Sequence, residues 1–131
     1  MPSIFTKIIN REIPGYILAE DDRYIAFLDI NPLVLGHTLV VPKEEIDYIF
    51  ELEDSTLSGL HLFAKKIAKA VRIAVPCKRI GVAVIGLEVP HTHVHLVPMN
   101  AADDLNFTRP KLSPSKSELE EVANKIKQAL A

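Results

Sequence analysis

The chain has one cysteine, no tryptophan, five glycines in 131 residues and no long apolar run. A lone Cys77 excludes an internal disulfide framework and suits a reducing compartment. No stretch approaches the roughly 18 consecutive apolar residues of a membrane span. The opening Met1-Pro2-Ser3-Ile4-Phe5-Thr6-Lys7 has no apolar signal core. A surplus of one charge is missing too. Fifteen basic residues against 17 acidic ones leave a formal charge of -2, which gives no global attraction to nucleic acid or an anionic bilayer. Any phosphate recognition is then local. The expectation is a cytoplasmic protein with neither nucleic acid nor membrane as partner.

What is present fits one folded domain spanning residues 1–131. It is long enough to bury roughly two thirds of its unfolded surface, and its apolar content of 48% is ordinary for a globule. Residues 3–10 read as a short helix, with Ser3 as cap and Ile4, Phe5 and Ile8 on one face. Residues 16–20 and 23–29 read as a hairpin turning at Asp21-Asp22. Residues 37–42 form a third strand, closed by Pro42. Leu57, Leu60, Ala64, Ile67, Val71 and Ala74 recur every three or four residues, which predicts a long helix capped at Asp54-Ser55 and stopped by Pro76. Residues 79–85 read as a buried strand, and residues 92–97 as a strand ended by Pro98. From Met99 to Lys116 there is little pattern, with a linker expected over 110–116; loops of that length are functional or mobile. Leu119, Val122, Ile126 and Leu130 mark a final helix over about 115–130. Adjacent strands with segregated helices predict an α+β domain built on an antiparallel sheet. Such a strand count leaves an uncovered edge or face, hence a dimer.

The histidines carry the chemistry. Three of the five stand at His91, His93 and His95. On an extended strand, side chains two apart share a face, so these imidazoles point one way over roughly 13 Å while Thr92, Val94 and Leu96 point the other. Two chemistries compete. Imidazoles bind Zn, Cu, Ni and Fe, with His37 as the only obvious further ligand. Alternatively, a neutral imidazole is a good nucleophile near pH 7. Its neighbours would then donate to phosphate oxygens. His61, alone on the long helix, reads as ordinary packing. Asp29, before Asn31-Pro32, reads equally as a turn carboxylate or a ligand-binding one. Lys7, Lys43 and Arg79 are surface bases that could approach a phosphate.

The run His91-Thr92-His93-Val94-His95-Leu96-Val97 resembles the His-x-His-x-His signature of the histidine triad (HIT) family, in its Hint-like nucleotide-binding branch. Three more blocks resemble it in the same order. These are Ser3–Ile9 with Glu12-Ile13-Pro14, Tyr24–Pro32, and Gly36-His37-Thr38-Leu39-Val40-Val41-Pro42-Lys43. The resemblance covers about residues 3–98 and leaves a C-terminal loop and helix over 99–131. It implies a five-stranded antiparallel sheet and a homodimer whose sheets join across a two-fold axis. It also implies hydrolysis or transfer at the α-phosphorus of a purine nucleoside phosphoramidate or related nucleotide, with no cofactor and no metal. On that resemblance His93 is the nucleophile, forming a nucleotidyl-histidine. His95 hydrogen-bonds the α-phosphate, and His91 with His37 forms the network that orients the rings. Asp29 accepts the ribose hydroxyls, and Phe5, Ile8, Phe27, Ile30 and Leu39 line the base pocket.

This chain departs from the pattern at named places. Ser3 and Thr6 stand where many bacterial members carry two zinc-binding cysteines. Before the triad the loop is shortened, with Leu87 in place of a glutamine. Glu88 stands where a small hydroxyl residue often donates to phosphate, which makes it a leaving-group-side residue. Alternatives to the phosphoramidase reading are a dinucleoside polyphosphate hydrolase, a metal-binding His-x-His-x-His module, and a weakly catalytic nucleotide-binding regulator.

Overall fold

The computed structural model describes residues 2–131. Helix α1, Ile4–Ile9, starts at Ser3, whose Oγ accepts the Thr6 N–H at 3.0 Å. It buries Phe5 and Ile8, while Ile4, expected on the same face, is half exposed. Strands β1 (Ile17–Glu20) and β2 (Tyr24–Leu28) form the expected hairpin. Its turn is held by Asp21 Oδ1, which accepts from the Arg23 and Tyr24 N–H groups, each at 2.8 Å. Then come β3 (Thr38–Pro42), α2 (Asp54–Ala74), β4 (Arg79–Ala83), β5 (Val94–Met99) and α3 (Lys116–Leu130). The five strands make one antiparallel sheet in the order β1-β2-β3-β5-β4.

Strands β2, β3 and β5 are buried on both faces, and alternation sorts their side chains. Tyr24, Ala26, Leu28, Val40, Val94 and Leu96 face α2 and α3, packing with Leu60, Ile67, Val71, Leu119 and Ile126. Each fully buried aliphatic side chain there contributes roughly 1.5–3 kcal/mol by leaving water. Ile25, Phe27, Leu39 and Val41 face the other way, against Phe5 and Ile8 of α1. His93 and His95 share that second face. One face of the sheet is core, and the other is a floor for a site.

Four expectations change. Strand β4 ends at Ala83 and is an edge strand with a partner on one side only, and Val82 on it, with Val84 and Ile85 past its end, is exposed and not buried. Strand β5 begins at Val94, after His93, and runs through Pro98 to Met99. It tolerates the proline because β3 pairs only as far as Thr38↔Leu96, and beyond that point a residue without an N–H loses no β3 bond. Helix α2 starts from Glu53 with no side-chain cap bond, and Asp54 sits instead in the first turn near the positive end of the helix dipole. His61 is exposed on α2, not packed. Ser115 and Glu118 form the reciprocal cap that starts α3. No described helix is long and apolar enough to cross a membrane.

Candidate active site

Each histidine has a neighbour that decides where its proton sits. Leu33 N–H donates to His37 Nδ1 at 3.1 Å, so Nδ1 is bare and the proton of the neutral ring lies on Nε2. That Nε2–H points at His95 Nδ1, 2.9 Å away, which places the His95 proton on its own Nε2. Burial pushes the His37 pKa down to about 4 and the His95 pKa down to about 3, so both rings stay neutral at pH 7. His95 therefore offers an N–H donor to whatever lies beside it.

His93 is set the opposite way. Its Nδ1–H donates to the His91 carbonyl at 2.7 Å, which leaves the Nε2 lone pair bare. The peptide unit carrying that carbonyl is fixed from its far side, because Thr92 N–H donates to Ile46 O at 2.7 Å. Thr92 Oγ1 donates to the same oxygen at 2.7 Å. The Phe5 ring packs edge-on against His93 and His91, with centroids 5.0 and 5.8 Å apart.

His91 has no free nitrogen. Its Nε2–H donates to Pro42 O at 2.7 Å and its Nδ1 accepts the Ser3 hydroxyl at 2.7 Å. Ser3 is in turn held by Glu45, whose Oε1 accepts from the Ser3 N–H and the Thr6 hydroxyl, both at 2.6 Å. Burial holds the His91 pKa below its ordinary value. The resemblance gives His91 and His37 as the network that orients the rings, and the structure gives each its own partners. His37 supports His95, and Ser3 with Pro42 supports His91. Ser3 and Thr6, which the resemblance sets where many members carry zinc-binding cysteines, are both engaged in hydrogen bonds here, Ser3 with His91 and Thr6 with Glu45.

A cavity of about 640 Å³ opens over this face. Phe5, Ile8, Phe27, Ile30 and Leu39 all line it, as do Asp29, His93, His95 and Glu88. His37 and His91 lie beneath it, fully buried. Ile30 is mostly exposed at the rim. Asp29 Oδ1 accepts the Asn31 N–H at 2.9 Å, and Oδ2 lies 3.8 Å from His37 Nε2. Desolvation raises the Asp29 pKa, which makes its carboxylate eager for hydroxyl donors. The volume and mostly apolar lining suit a small ligand with one polar end.

Metal donors do not converge through the triad. Among the described residues only Asp29, His37 and His95 bring three donor atoms within 4.8 Å of one another. Of their ring nitrogens, His37 Nε2 and His95 Nδ1 already share a proton bond. Lys43 is likewise engaged, with Glu20 at 2.8 Å.

Sequence reasoning missed Glu45, the Pro42 carbonyl, and two cavity-lining residues, Phe107 from the unpatterned stretch after Met99 and Lys111 from the expected linker. The Phe107 ring stands edge-on to His95 at 4.7 Å and to His37 at 6.1 Å. An aromatic in an otherwise polar stretch was the one local signal. The segment is no linker. Arg109 donates to Leu33 O at 2.9 Å and Leu112 N–H to Pro32 O at 2.8 Å, which straps it to the loop after β2.

Comparison with known proteins gives one answer. The HIT domain pattern matches residues 10–102. An uncharacterized HIT-like protein of Borreliella burgdorferi is 40% identical over 113 residues, 81% of each chain. An adenosine 5'-monophosphoramidase of Schizosaccharomyces pombe is 34% identical over 137 aligned positions, covering 97% of this chain and 100% of its own. The crystal structure of a HIT-like protein involved in cell-cycle regulation from Bartonella henselae superposes with TM-score 0.83 at 35% identity, covering 97% of this chain and 95% of that one.

Proposed function

This chain belongs to the HIT domain family, and on that premise we propose that it is a nucleotide hydrolase of the histidine triad type, acting on purine nucleoside phosphoramidates through a nucleotidyl-His93 intermediate. The observation that carries the reading is the pair of opposed tautomers, a bare Nε2 on His93 beside an Nε2–H on His95. The two rings lie 4.9 Å apart in one cavity. One nitrogen can attack phosphorus while the other donates to its oxygen.

The base lies among Phe5, Ile8, Phe27, Ile30 and Leu39, and the ribose hydroxyls donate to Asp29. His93 Nε2 attacks the α-phosphorus as the P–N bond breaks. The departing nitrogen takes the bonding pair and a proton from solvent. The His93 ring is cationic in the intermediate, and the His91 carbonyl on its Nδ1–H stabilises that charge. Water then adds to phosphorus and loses a proton to solvent. The bond to Nε2 breaks, and nucleoside monophosphate is released with the ring neutral again. His95 donates its Nε2–H to a phosphate oxygen throughout, and Glu88 stands at the leaving-group side. The S. pombe relative's name as an adenosine 5'-monophosphoramidase supports this substrate class. The homodimer belongs to the same reading, supported by the open edge of β4 with its exposed Val82 and by the exposed Val84 and Ile85 just past its end.

The test is turnover of adenosine 5'-phosphoramidate with a mass-spectrometric search for adenylylated His93. His93→Ala should abolish both adduct and turnover, by about 10³-fold or more, while adenosine binding persists. Normal turnover by that variant would sink the nucleophile assignment. Turnover unaffected by chelator is expected; collapse with chelator would favour the metal reading.

A further inference from the structure

The cavity has a charge problem that its histidines do not solve. Its lining carries two carboxylates, Asp29 and Glu88. His37 and His95 are neutral by their hydrogen bonds, and His93 must keep Nε2 bare to attack. A nucleotide phosphate would bring its own negative charge into this surrounding and be repelled. Among the described residues only one Lys or Arg lines the cavity, Lys111. We propose that Lys111 is the phosphate-binding cation of this site, its Nζ reaching the α-phosphate oxygens of the bound nucleotide and the charge that develops on them during attack. This rests on the nucleotide reading above and adds a residue to it.

The strap is built to hold that ammonium in place. Arg109 ties it to Leu33 O and Leu112 to Pro32 O. The Arg109 charge is already met by Asp103 and Asp104, each at 3.4 Å. Lys111, by contrast, forms no ion pair among the described residues. Its Nζ donates one N–H to Phe107 O at 2.7 Å and lies 5.8 Å from the centre of the Phe107 ring, which itself leans on His95. An ammonium has three donors, so two remain for a ligand. The Lys111 charge is felt by the groups that would face the phosphate and ribose. It favours the Asp29 carboxylate and opposes protonation of His37 and His95. Without a ligand the strap parks its cation on a backbone carbonyl at the mouth. With one, a swing of a flexible side chain brings it to the phosphate.

Calorimetric binding of AMP and of adenosine to the wild type, Lys111→Met and Lys111→Arg tests this directly, beside steady-state hydrolysis of adenosine 5'-phosphoramidate. Lys111→Met should weaken AMP about tenfold, as expected for one charge-assisted bond at a partly open site. Adenosine affinity should not change, which also reports an intact fold. Hydrolysis should fall by at least the same factor, and Lys111→Arg should keep most of both. An unchanged ratio of AMP to adenosine affinity in Lys111→Met, with a wild type that hydrolyses the substrate, would overturn the lysine assignment alone. A wild type that neither prefers AMP nor hydrolyses the phosphoramidate would overturn the nucleotide reading, and this assignment with it.

Discussion

His91 and His95 occupy the two ends of one five-residue run and are both buried and neutral, yet the fold uses them in opposite ways. At the His91 end both ring nitrogens are bonded within the protein, to the Ser3 hydroxyl and the Pro42 carbonyl. Nothing is left for a ligand. At the His95 end only Nδ1 is engaged, by His37, and Nε2–H faces the cavity. A saturated imidazole is scaffold, whereas one with a free donor is a reagent. The middle ring depends on both ends, since its bare Nε2 is fixed by the His91 carbonyl and aimed beside the His95 donor.

The contrast can be broken by substitution, largest effect first. His95→Ala should lower turnover of adenosine 5'-phosphoramidate about 10²–10³-fold, as for loss of one donor to a developing oxyanion, with a stability loss smaller than that of His91→Ala because it leaves one buried partner unpaired, the His37 Nε2–H. His91→Ala should instead cost about 2–4 kcal/mol of stability, since it empties a buried site and leaves the Ser3 hydroxyl and Pro42 carbonyl unpaired. Urea titrations beside steady-state kinetics separate the two; equal stability losses would erase the distinction.

Acid should act next. His37 and His95 have folded pKa values of about 4 and about 3, below the ordinary value of about 6.5. The unfolded chain therefore binds protons that the native state refuses. Their contribution to stability is complete above about pH 6.5 and is lost as pH falls toward 4. The loss for His37 is on the order of 3 kcal/mol. Urea midpoints at pH 7.5 and pH 4.5 should show this drop, and His37→Gln should reduce it. An equal drop in that variant would mean that other groups carry the acid sensitivity.

Asp29→Ala should weaken adenosine binding by about 1–3 kcal/mol if two hydroxyl bonds to a carboxylate are lost, which calorimetry would measure. Unchanged affinity would refute the ribose role. Ser3→Ala is the mildest probe. It removes a helix cap and the His91 Nδ1 partner together, for about 1–2 kcal/mol of stability in thermal melts, and Ser3→Thr should restore most of it. A neutral result would show that Thr6, 3.4 Å from the same nitrogen, carries the bond.

Much of this was readable along the chain because it is local. A period of two put His93 and His95 on one face, with His91 left in the bend before the strand, and a period near 3.6 marked α2 and α3. Ser3 and Asp21 announced cap and turn through their own side chains. What misled was context. Residues 79–85 looked buried by composition, but their place at the end of the strand order exposes them. The 99–116 stretch showed little pattern, and 110–116 looked like linker, because Arg109 and Leu112 find their partners about 80 residues back, at Leu33 and Pro32. No local period encodes such a pairing.

By itself the sequence determined which side chains could do chemistry and that His93 and His95 would share a face, because residues two apart on an extended chain point the same way. Only the tertiary structure decided what each imidazole is for. The proton position on a neutral ring is set by whichever donor or acceptor meets each nitrogen. Leu33 N–H and the His91 carbonyl lie within four residues of the rings they meet, whereas the Pro42 carbonyl, Ser3 Oγ and the His37 ring beside His95 arrive from distant elements. The same holds for Lys111, brought to the mouth of the cavity by a strap whose anchors lie in another part of the chain.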